Sequence, residues 1–491
     1  MKISIKDIEF DDDIYPRRQI SQKTVTSYVE ALKGGATFPP IEIQQISVDD
    51  KEKIISLDGK HRCLAIDEFN KQAKDNGLEP INEIEVTSWK NEILDKGQHL
   101  EELRVRSASL NLRHGDRLPT KDLANVVLKI IKARPIERLE GIVNWLAGEF
   151  GYNQSTVGQL ETDEGKVTDV LSKRKLSRNY RIWKLIQLGW TQEEVGKLFF
   201  PDTKDPHAPI SKIVSNIDSN ILHIQQQYEQ GKSVEEVAQF NNLDLITAWR
   251  MVLQGKSDED RFDLFGTEDN GNKSPRRYNV WNFKQRDPRL GNPYPGNIPG
   301  QIVMNILYYY TKEGDLVVDP MAGGGSTIDA CLIMNRKCRA YDVKSTREDI
   351  VEHDIKKGFP DRAKKDCKLI FLDPPYGRIK RDFYSKDSIS SETYSNWLEF
   401  MNDIVRNCHS VLDDNGYVVI IVEPFFDRKE ENRFLDLPFD ITGIFLNTGF
   451  NEYYRIHTPL PSDSTAHGME FGKREKVVLD QARDLIIFKK K

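Results

Sequence analysis

The 491-residue chain lacks most of the features that would place it in a secreted, membrane or metal-clipped class. Its five cysteines (Cys63, Cys331, Cys338, Cys367, Cys408) are scattered, with no Cys-x-x-Cys pair. That pattern argues against a zinc ribbon or a disulfide framework and fits a reducing cytoplasm. No apolar run approaches the length of a membrane span. The opening Met1-Lys2-Ile3-Ser4-Ile5-Lys6 has no apolar core of the kind a secretory signal needs. Nor is there an overall basic field. The 71 Lys and Arg against 77 Asp and Glu leave a net charge of −6, so nucleic-acid binding has to come from local patches. No repeat of fixed period is present.

What remains is an ordinary soluble composition, 38% hydrophobic and 30% charged, in a chain too long for one core. Residues 1–115 mix short strands and helices: Ile41–Ile43 and Ile84–Val86 alternate, and Ile54–Leu57 is a short apolar strand. Residues 116–255 turn helical, with Leu123, Val126, Val127, Ile130 and Ile131 tracing one face. Residues 256–277, rich in Asp, Glu, Gly, Asn and Ser, read as a linker. From Val280 onward apolar strand-like runs alternate with helical patterns, at Leu316–Asp319, Cys338–Asp342, Lys368–Asp373, Tyr417–Val422, Ile441–Leu446 and Leu485–Phe488. This predicts a doubly wound α/β domain over 278–491 ending in an antiparallel pair.

Two short segments carry the chemistry. Asp319-Pro320-Met321-Ala322-Gly323-Gly324-Gly325-Ser326-Thr327 and Asp373-Pro374-Pro375-Tyr376 each follow a buried-strand pattern. The three glycines let the backbone turn sharply and approach a ligand, and Ser326 and Thr327 can cap a following helix. Asp342, at the next strand end, can accept hydrogen bonds from a ribose diol. A dinucleotide would satisfy those features as well. In the second segment, Asp373 and the Pro374 carbonyl can hold both hydrogens of an exocyclic amine. That frees the nitrogen lone pair from the ring, and the two prolines stiffen the loop that presents the acceptors. Tyr376 offers a face for a flipped base.

Together the segments resemble the cofactor and catalytic loops of DNA amino-methyltransferases, which have a Rossmann-like fold and use S-adenosylmethionine. The resemblance covers roughly 278–491. It implies that Asp319 faces the methionine part, with Pro320, Ala322, Gly323, Gly325 and Thr327 forming the loop. It also implies that Asp342 binds the ribose and that Asp354 lies beside the adenine. Met321 and Ser326 depart mildly from the family pattern. Residues Asn279–Phe283, then Pro293–Pro299, then a helix from about 300 to 310 resemble the family's piece that closes over the cofactor. Only about 45 residues separate Thr327 from Asp373, too few for an inserted target-recognition domain. Asp-Pro-Pro-Tyr points to N6 of adenine, with N4 of cytosine and N2 of RNA guanine as alternatives. A restriction–modification setting is the usual one for the family. Arg378, Lys380 and Arg381 are candidates for phosphates beside a flipped base.

Upstream, Asp58-Gly59-Lys60-His61-Arg62 follows a strand and opens a helix, a context suited to an anion. With Asn111-Leu112-Arg113, it resembles the two boxes of ParB-like domains. The resemblance implies an α+β fold with Gly59, His61, Arg62, Asn111 and Arg113 near a nucleoside triphosphate or a phosphate. Lys60 stands where sulfiredoxins carry their cysteine, so that chemistry is not expected. Residues 142–160 have the spacing of a helix-turn-helix, with Ala147 four residues before Gly151. Asn153, Gln154, Ser155 and Thr156 then open a recognition helix. Residues 234–251 give a looser second match.

The expectation is therefore a cytoplasmic, nucleoid-associated DNA adenine-N6 methyltransferase of prokaryotic or phage origin. Its partner is duplex DNA, and a homodimer is left open. The alternative from another class is a ParB-type regulator that only senses the cofactor.

Overall fold

The computed structural model describes the chain except for residues 18, 74–76, 114–117, 202, 206, 267–274, 284, 295, 364–365, 376–392, 428–432 and 460–482, and the side chains of 113 and 137. Tyr376, Arg378, Lys380 and Arg381 therefore lie outside the described residues, and so does the side chain of Arg113. Two compact units divide at Arg178/Asn179. The expected domain ends at 115 and 255 do not coincide with that division.

The first unit is organised by alternating strands. Its elements are β1 (Lys2–Ser4), β2 (Ile8–Glu9), α1 (Gln22–Lys33), β3 (Ile41–Val48), β4 (Lys51–Ser56), α2 (Lys60–Ala73), β5 (Glu83–Ser88) and β6 (Leu94–Asp95). The sheet runs β1-β5-β3-β4-β2, with β6 also on β3. Ile41 of β3 stands opposite Val86 of β5, and both point into a core shared with Val25, Val29, Ile66 and Phe69 of α1 and α2. A separate helical core follows, from α3 (Lys96–Arg113), α4 (Thr120–Ala133), α5 (Ile142–Phe150) and α6 (Gln154–Gly158). The expected α4 face is buried: Leu123, Val126, Val127, Ile130 and Ile131 all lie in this cluster. A two-residue hairpin, β7 (Glu161–Thr162) and β8 (Gly165–Lys166), follows α6. The division between the units falls inside α7 (Val167–Gln187).

The second unit opens with α8 (Gln192–Phe199), α9 (His207–Glu229), α10 (Val234–Asn241), α11 (Leu245–Val252), α12 (Asp258–Phe265) and α13 (Gly300–Tyr310). Then come β9 (Leu316–Asp319), α14 (Ser326–Ile333), β10 (Lys337–Asp342), β11 (Ile350–Glu352), β12 (Cys367–Leu372), α15 (Tyr394–Val411) and β13 (Leu412–Val422). A hairpin of β14 (Phe425–Asp427) and β15 (Arg433–Leu435), α16 (Leu437–Asn447), β16 (Phe450–His457) and β17 (Asp484–Lys490) complete it.

The strand order is β11-β10-β9-β12-β13-β17-β16. The first five strands are parallel and β17 runs antiparallel between β13 and β16; the ending is antiparallel as expected, but the outer strand is Phe450–His457, which the sequence reading does not mark. Successive strand residues serve opposite faces, as the pleat requires. Val317, Leu369, Phe371 and Val419 pack with α13 and α14, whereas Val318, Ile370, Leu372 and Val418 pack with α15 and α16.

Three expectations are corrected. Ile441–Leu446 is not a strand but the middle of α16. Asp436 caps that helix by accepting from Phe439 N, Pro438 sits in its first turn, and Leu437, Ile441 and Phe445 are buried at helical spacing. Residues 256–277 are not wholly a linker. Ser257 and Asp260 form a capping box for α12, and Arg261, Phe262 and Phe265 are buried. The second helix-turn-helix match has the right turn, with Asn242 at φ 54°, but six of the eight residues of α11 are buried. Arg250 of α11 donates to Asn335 at 2.6 Å, so this helix belongs to the core and not to a DNA groove.

Candidate functional site

The chain leaves β9, turns back to add β10 and β11 on one side, and then returns to add β12 and β13 on the other. The carboxyl ends of β9 and β12 therefore flank the point where the winding reverses, the place where open α/β sheets take ligands. Asp319 ends β9, Asp342 ends β10 and Asp373 follows β12. All three line one cavity of about 480 Å³ with Pro320, Ala322, Gly323, Thr327, Asp354 and Pro375. Most of the expected loop residues thus meet in one place.

Backbone hydrogen bonds shape the glycine loop. Met321 N donates to the Asp319 carboxylate at 3.0 Å, Ala322 N to Tyr341 O at 2.9 Å, and Gly323 N to Asp342 Oδ2 at 2.9 Å. Gly323 has φ 49°, and a Cβ there would stand 3.1 Å from the ring of Tyr294. Gly325 has φ 82° but does not line the cavity. A Cβ on it would meet the guanidinium of Arg347 at 2.6 Å. Gly323 therefore faces the cavity beneath Tyr294, whereas Gly325 is constrained from behind the loop. The expected Ser–Thr cap is also absent, since Gly325 caps α14 and no side chain accepts there. Thr327 instead hydrogen-bonds Asp319.

Burial pushes the Asp319 carboxyl up to about 7. The hydrogen bonds from Thr327 and Met321 partly offset this, and the nearby charges of Asp373 and Asp342 add to it. Asp354 accepts from Lys356 N at 3.0 Å and caps the short helical turn Ile355–Lys357. Pro375 O accepts from the indole Nε1 of Trp397 at 3.1 Å, a bond from α15 that holds the Asp-Pro-Pro loop. Trp397 is buried and stacks on Tyr394.

Several cavity residues escaped the sequence reading. Tyr294 and Asn297 roof the loop, Asn292 N donates to Gly324 O at 2.8 Å, and Lys344, Lys356 and Phe400 complete the wall. The resemblance marks the stretch Pro293–Pro299 that carries Tyr294 and Asn297, but not these side chains individually.

In the first unit, Gly59 at φ 82° opens α2, and residues around it line a separate cavity of about 450 Å³ with Tyr15, Tyr28, Phe38 and Arg17. Arg62 is largely engaged locally, with Nη2 on Asp58 Oδ2 at 2.7 Å and Nη1 on Pro39 O at 2.7 Å. His61 Nε2 accepts from Ser21 N at 3.0 Å, which leaves the ring proton on Nδ1. Asn111 donates to Leu57 O and Ser107 O and accepts from Tyr15 OH, so it ties α3 to the end of β4. Burial pushes the Cys63 thiol up to about 12, which removes its nucleophilic character. In α6, Asn153 Oδ1 accepts from Thr156 N and from the hydroxyls of Ser155 and Thr156. Residues 153–156 are exposed, and the hairpin beyond them carries Asp163 and Glu164.

Comparison with known proteins gives a family. No curated protein matches the chain. Solved structures similar to it include TrmN of Thermus thermophilus, at 13% identity over 40% of this chain and 50% of that one, with a TM-score of 0.26. A SAM-dependent methyltransferase of Methanosarcina mazei shares 10% identity over 38% of this chain and 96% of that one, TM-score 0.25. The 1,6-didemethyltoxoflavin-N1-methyltransferase of Burkholderia thailandensis shares 11% over 39% and 77%, TM-score 0.26. The chain spans half the length of TrmN. The family model described as DNA methylase matches residues 175–353 and 367–462, more than half of the sequence, and the chain belongs to that family.

Proposed function

We propose that residues 179–491 transfer a methyl group from S-adenosylmethionine to the exocyclic N6 amine of a flipped adenine in duplex DNA. The observation that carries this reading is the convergence of Asp319, Gly323, Asp342 and Asp373 on one cavity at the reversal of the sheet. The residues suit the donor. Asp319 is a desolvated carboxyl that a cationic ligand would favour in its charged form. Asp342 uses Oδ2 for Gly323 N and still has lone pairs for a diol. A side chain at 323 would close the space beneath Tyr294. When bound, S-adenosylmethionine supplies an electrophilic methyl group on its sulfonium.

The chain's own task is to make the amine a nucleophile. Asp373 and the Pro374 carbonyl accept its two hydrogens, which draws the nitrogen toward tetrahedral geometry and releases its lone pair. Trp397 holds the next carbonyl, so the acceptors are fixed before the base arrives. Adenine is preferred over cytosine because Asp373 opens the segment, where a serine would favour N4 of cytosine.

Incubation with labelled S-adenosylmethionine and duplex DNA or total RNA, with nucleosides identified by mass spectrometry, tests this. N6-methyladenine in DNA, lost in Asp373→Ala while cofactor binding persists, is the expected result. N4-methylcytosine would move the base assignment, and label in RNA guanine would move the substrate. Cofactor binding without transfer to either would favour a regulatory protein.

For the first unit we propose a ParB-like role in targeting. Its cavity combines aromatic rings with Arg17, Lys60 and the start of the fourteen-residue α2, a setting that suits a nucleotide. Exposed polar residues of α6 would contact DNA. Equilibrium dialysis with nucleoside triphosphates, comparing wild type with Gly59→Val, reads the first point. Gln154→Glu with unchanged folding and undiminished DNA affinity would remove the second.

A further inference from the structure

Behind the glycine loop lies a cluster of four alternating charges, two buried carboxylates and two half-buried cations, none of which lines the cavity: Lys184 of α7, Asp329 of α14, and Arg347 and Asp349 between β10 and β11. Arg347 makes two forks at once. Its Nη1 and Nη2 reach Asp329 at 2.8 and 2.7 Å, and its Nε and Nη2 reach Asp349 at 2.8 and 2.7 Å. Lys184 Nζ closes the cluster on Asp349 at 3.1 Å. Burial alone would weaken the Arg347 charge, but the two carboxylates more than compensate and hold its proton more tightly than usual. Asp349 is likewise held well below the usual carboxylate range, its burial outweighed by Lys184 and Arg347.

The cluster also grips both halves of the cofactor site. Asp329 Oδ2 accepts from the backbone N–H of Gly291 at 2.8 Å, at the start of the roof that carries Tyr294 and Asn297. A Cβ on Gly291 would meet Ser326 Oγ at 2.4 Å, and one on Gly325 would meet Arg347. Roof, loop and guanidinium are therefore packed through two positions that tolerate no side chain. The Asp329 carboxylate, together with the Asn292 N to Gly324 O bond, ties the roof to the glycine loop and the first turn of α14.

We propose that Arg347 and Asp329 are positioning residues for the methyl donor: they hold the roof at its working height over the glycine loop and so govern cofactor affinity without touching substrate. The proposal rests on reading the cavity as the S-adenosylmethionine site. A lysine at 347 keeps the charge but cannot make two planar forks. In the full chain, Arg347→Lys should raise the dissociation constant for S-adenosylhomocysteine by about tenfold, while kcat at saturating donor and KM for DNA change by less than about threefold. Asp329→Asn, which keeps an acceptor for Gly291 N, should have the same direction with a smaller effect.

Arg336→Lys provides the control. Arg336 is a buried arginine with a forked partner, Asp258, at 2.6 and 2.7 Å, and it does not line the cavity. It should lower the thermal midpoint and leave the dissociation constant unchanged. Equal weakening in both arginine variants would mean general destabilisation and would overturn the proposal, as would an unchanged dissociation constant in Arg347→Lys. A wild-type protein that binds neither S-adenosylhomocysteine nor S-adenosylmethionine would instead overturn the reading of the cavity itself.

Discussion

Asp319 is buried at the end of β9, with Asp342 and Asp373 on the same cavity. Its carboxyl keeps its proton to about 7, against 3.8 for an exposed aspartate. Between those values the folded chain carries a proton that the unfolded chain has lost. Stability from this group is therefore greatest at low pH, declines as pH rises through the window, and levels off above it. The full difference is on the order of 4 kcal/mol. Asp319→Asn removes it, so the variant's thermal midpoint relative to wild type should rise between about pH 5 and about pH 7.5. A constant gap in calorimetry would show that Asp319 is ionised throughout. Trp397 makes a different prediction. Trp397→Phe keeps most of the buried ring but orphans Pro375 O, and should lower kcat by about tenfold with cofactor affinity within about twofold. An unchanged kcat would mean that the Asp-Pro-Pro loop is held by its prolines alone. The three acids and Gly323 were legible because residue type and strand-end position suffice to mark them. Trp397 and Arg347 were not, since each acts through a contact with a residue that no local pattern pairs with it.

Local composition misled at two elements, and at the first because apolar content does not specify period over a short stretch. Ile441–Leu446 carries enough aliphatic and aromatic residues for a strand, yet Asp436 and Pro438 start a helix, and stacking of Phe445 on Phe488 at 3.9 Å seats it on the sheet. Residues 258–265 look solvated because Asp and Glu fill their first turn, where they favour a helix N-terminus. Phe262 is the discriminating residue. In a linker, Phe262→Ala would leave stability unchanged, whereas burial in the core of the second unit predicts a loss of about 3–5 kcal/mol by urea denaturation. The buried α11 makes the same point from the other direction. Its turn residues suit a DNA-reading motif, and only packing against the rest of the core withdraws it from solvent.

The second compact unit begins at 179 and the family match at 175, and both take in helices ahead of residue 278, the expected start of the α/β domain. A chain beginning at residue 167, which keeps α7 whole, should therefore bind S-adenosylhomocysteine with full-length affinity, within about threefold. A chain beginning at 278 would strip Lys184 and helices α8–α12 from the core and should fail to fold. Full affinity in the shorter chain, by calorimetric titration, would return the helical region to the role of an appendage. What the amino-acid sequence determined by itself was the winding of the sheet, its antiparallel ending and the identity of the acids at its carboxyl edge. Strand periodicity, loop glycines and carboxylates are local properties of the chain. Only the tertiary structure decided which helices belong to that sheet, what roofs the cavity and which side chains hold the loops. Those depend on burial and on charge pairs between distant residues, and a linear pattern does not contain them.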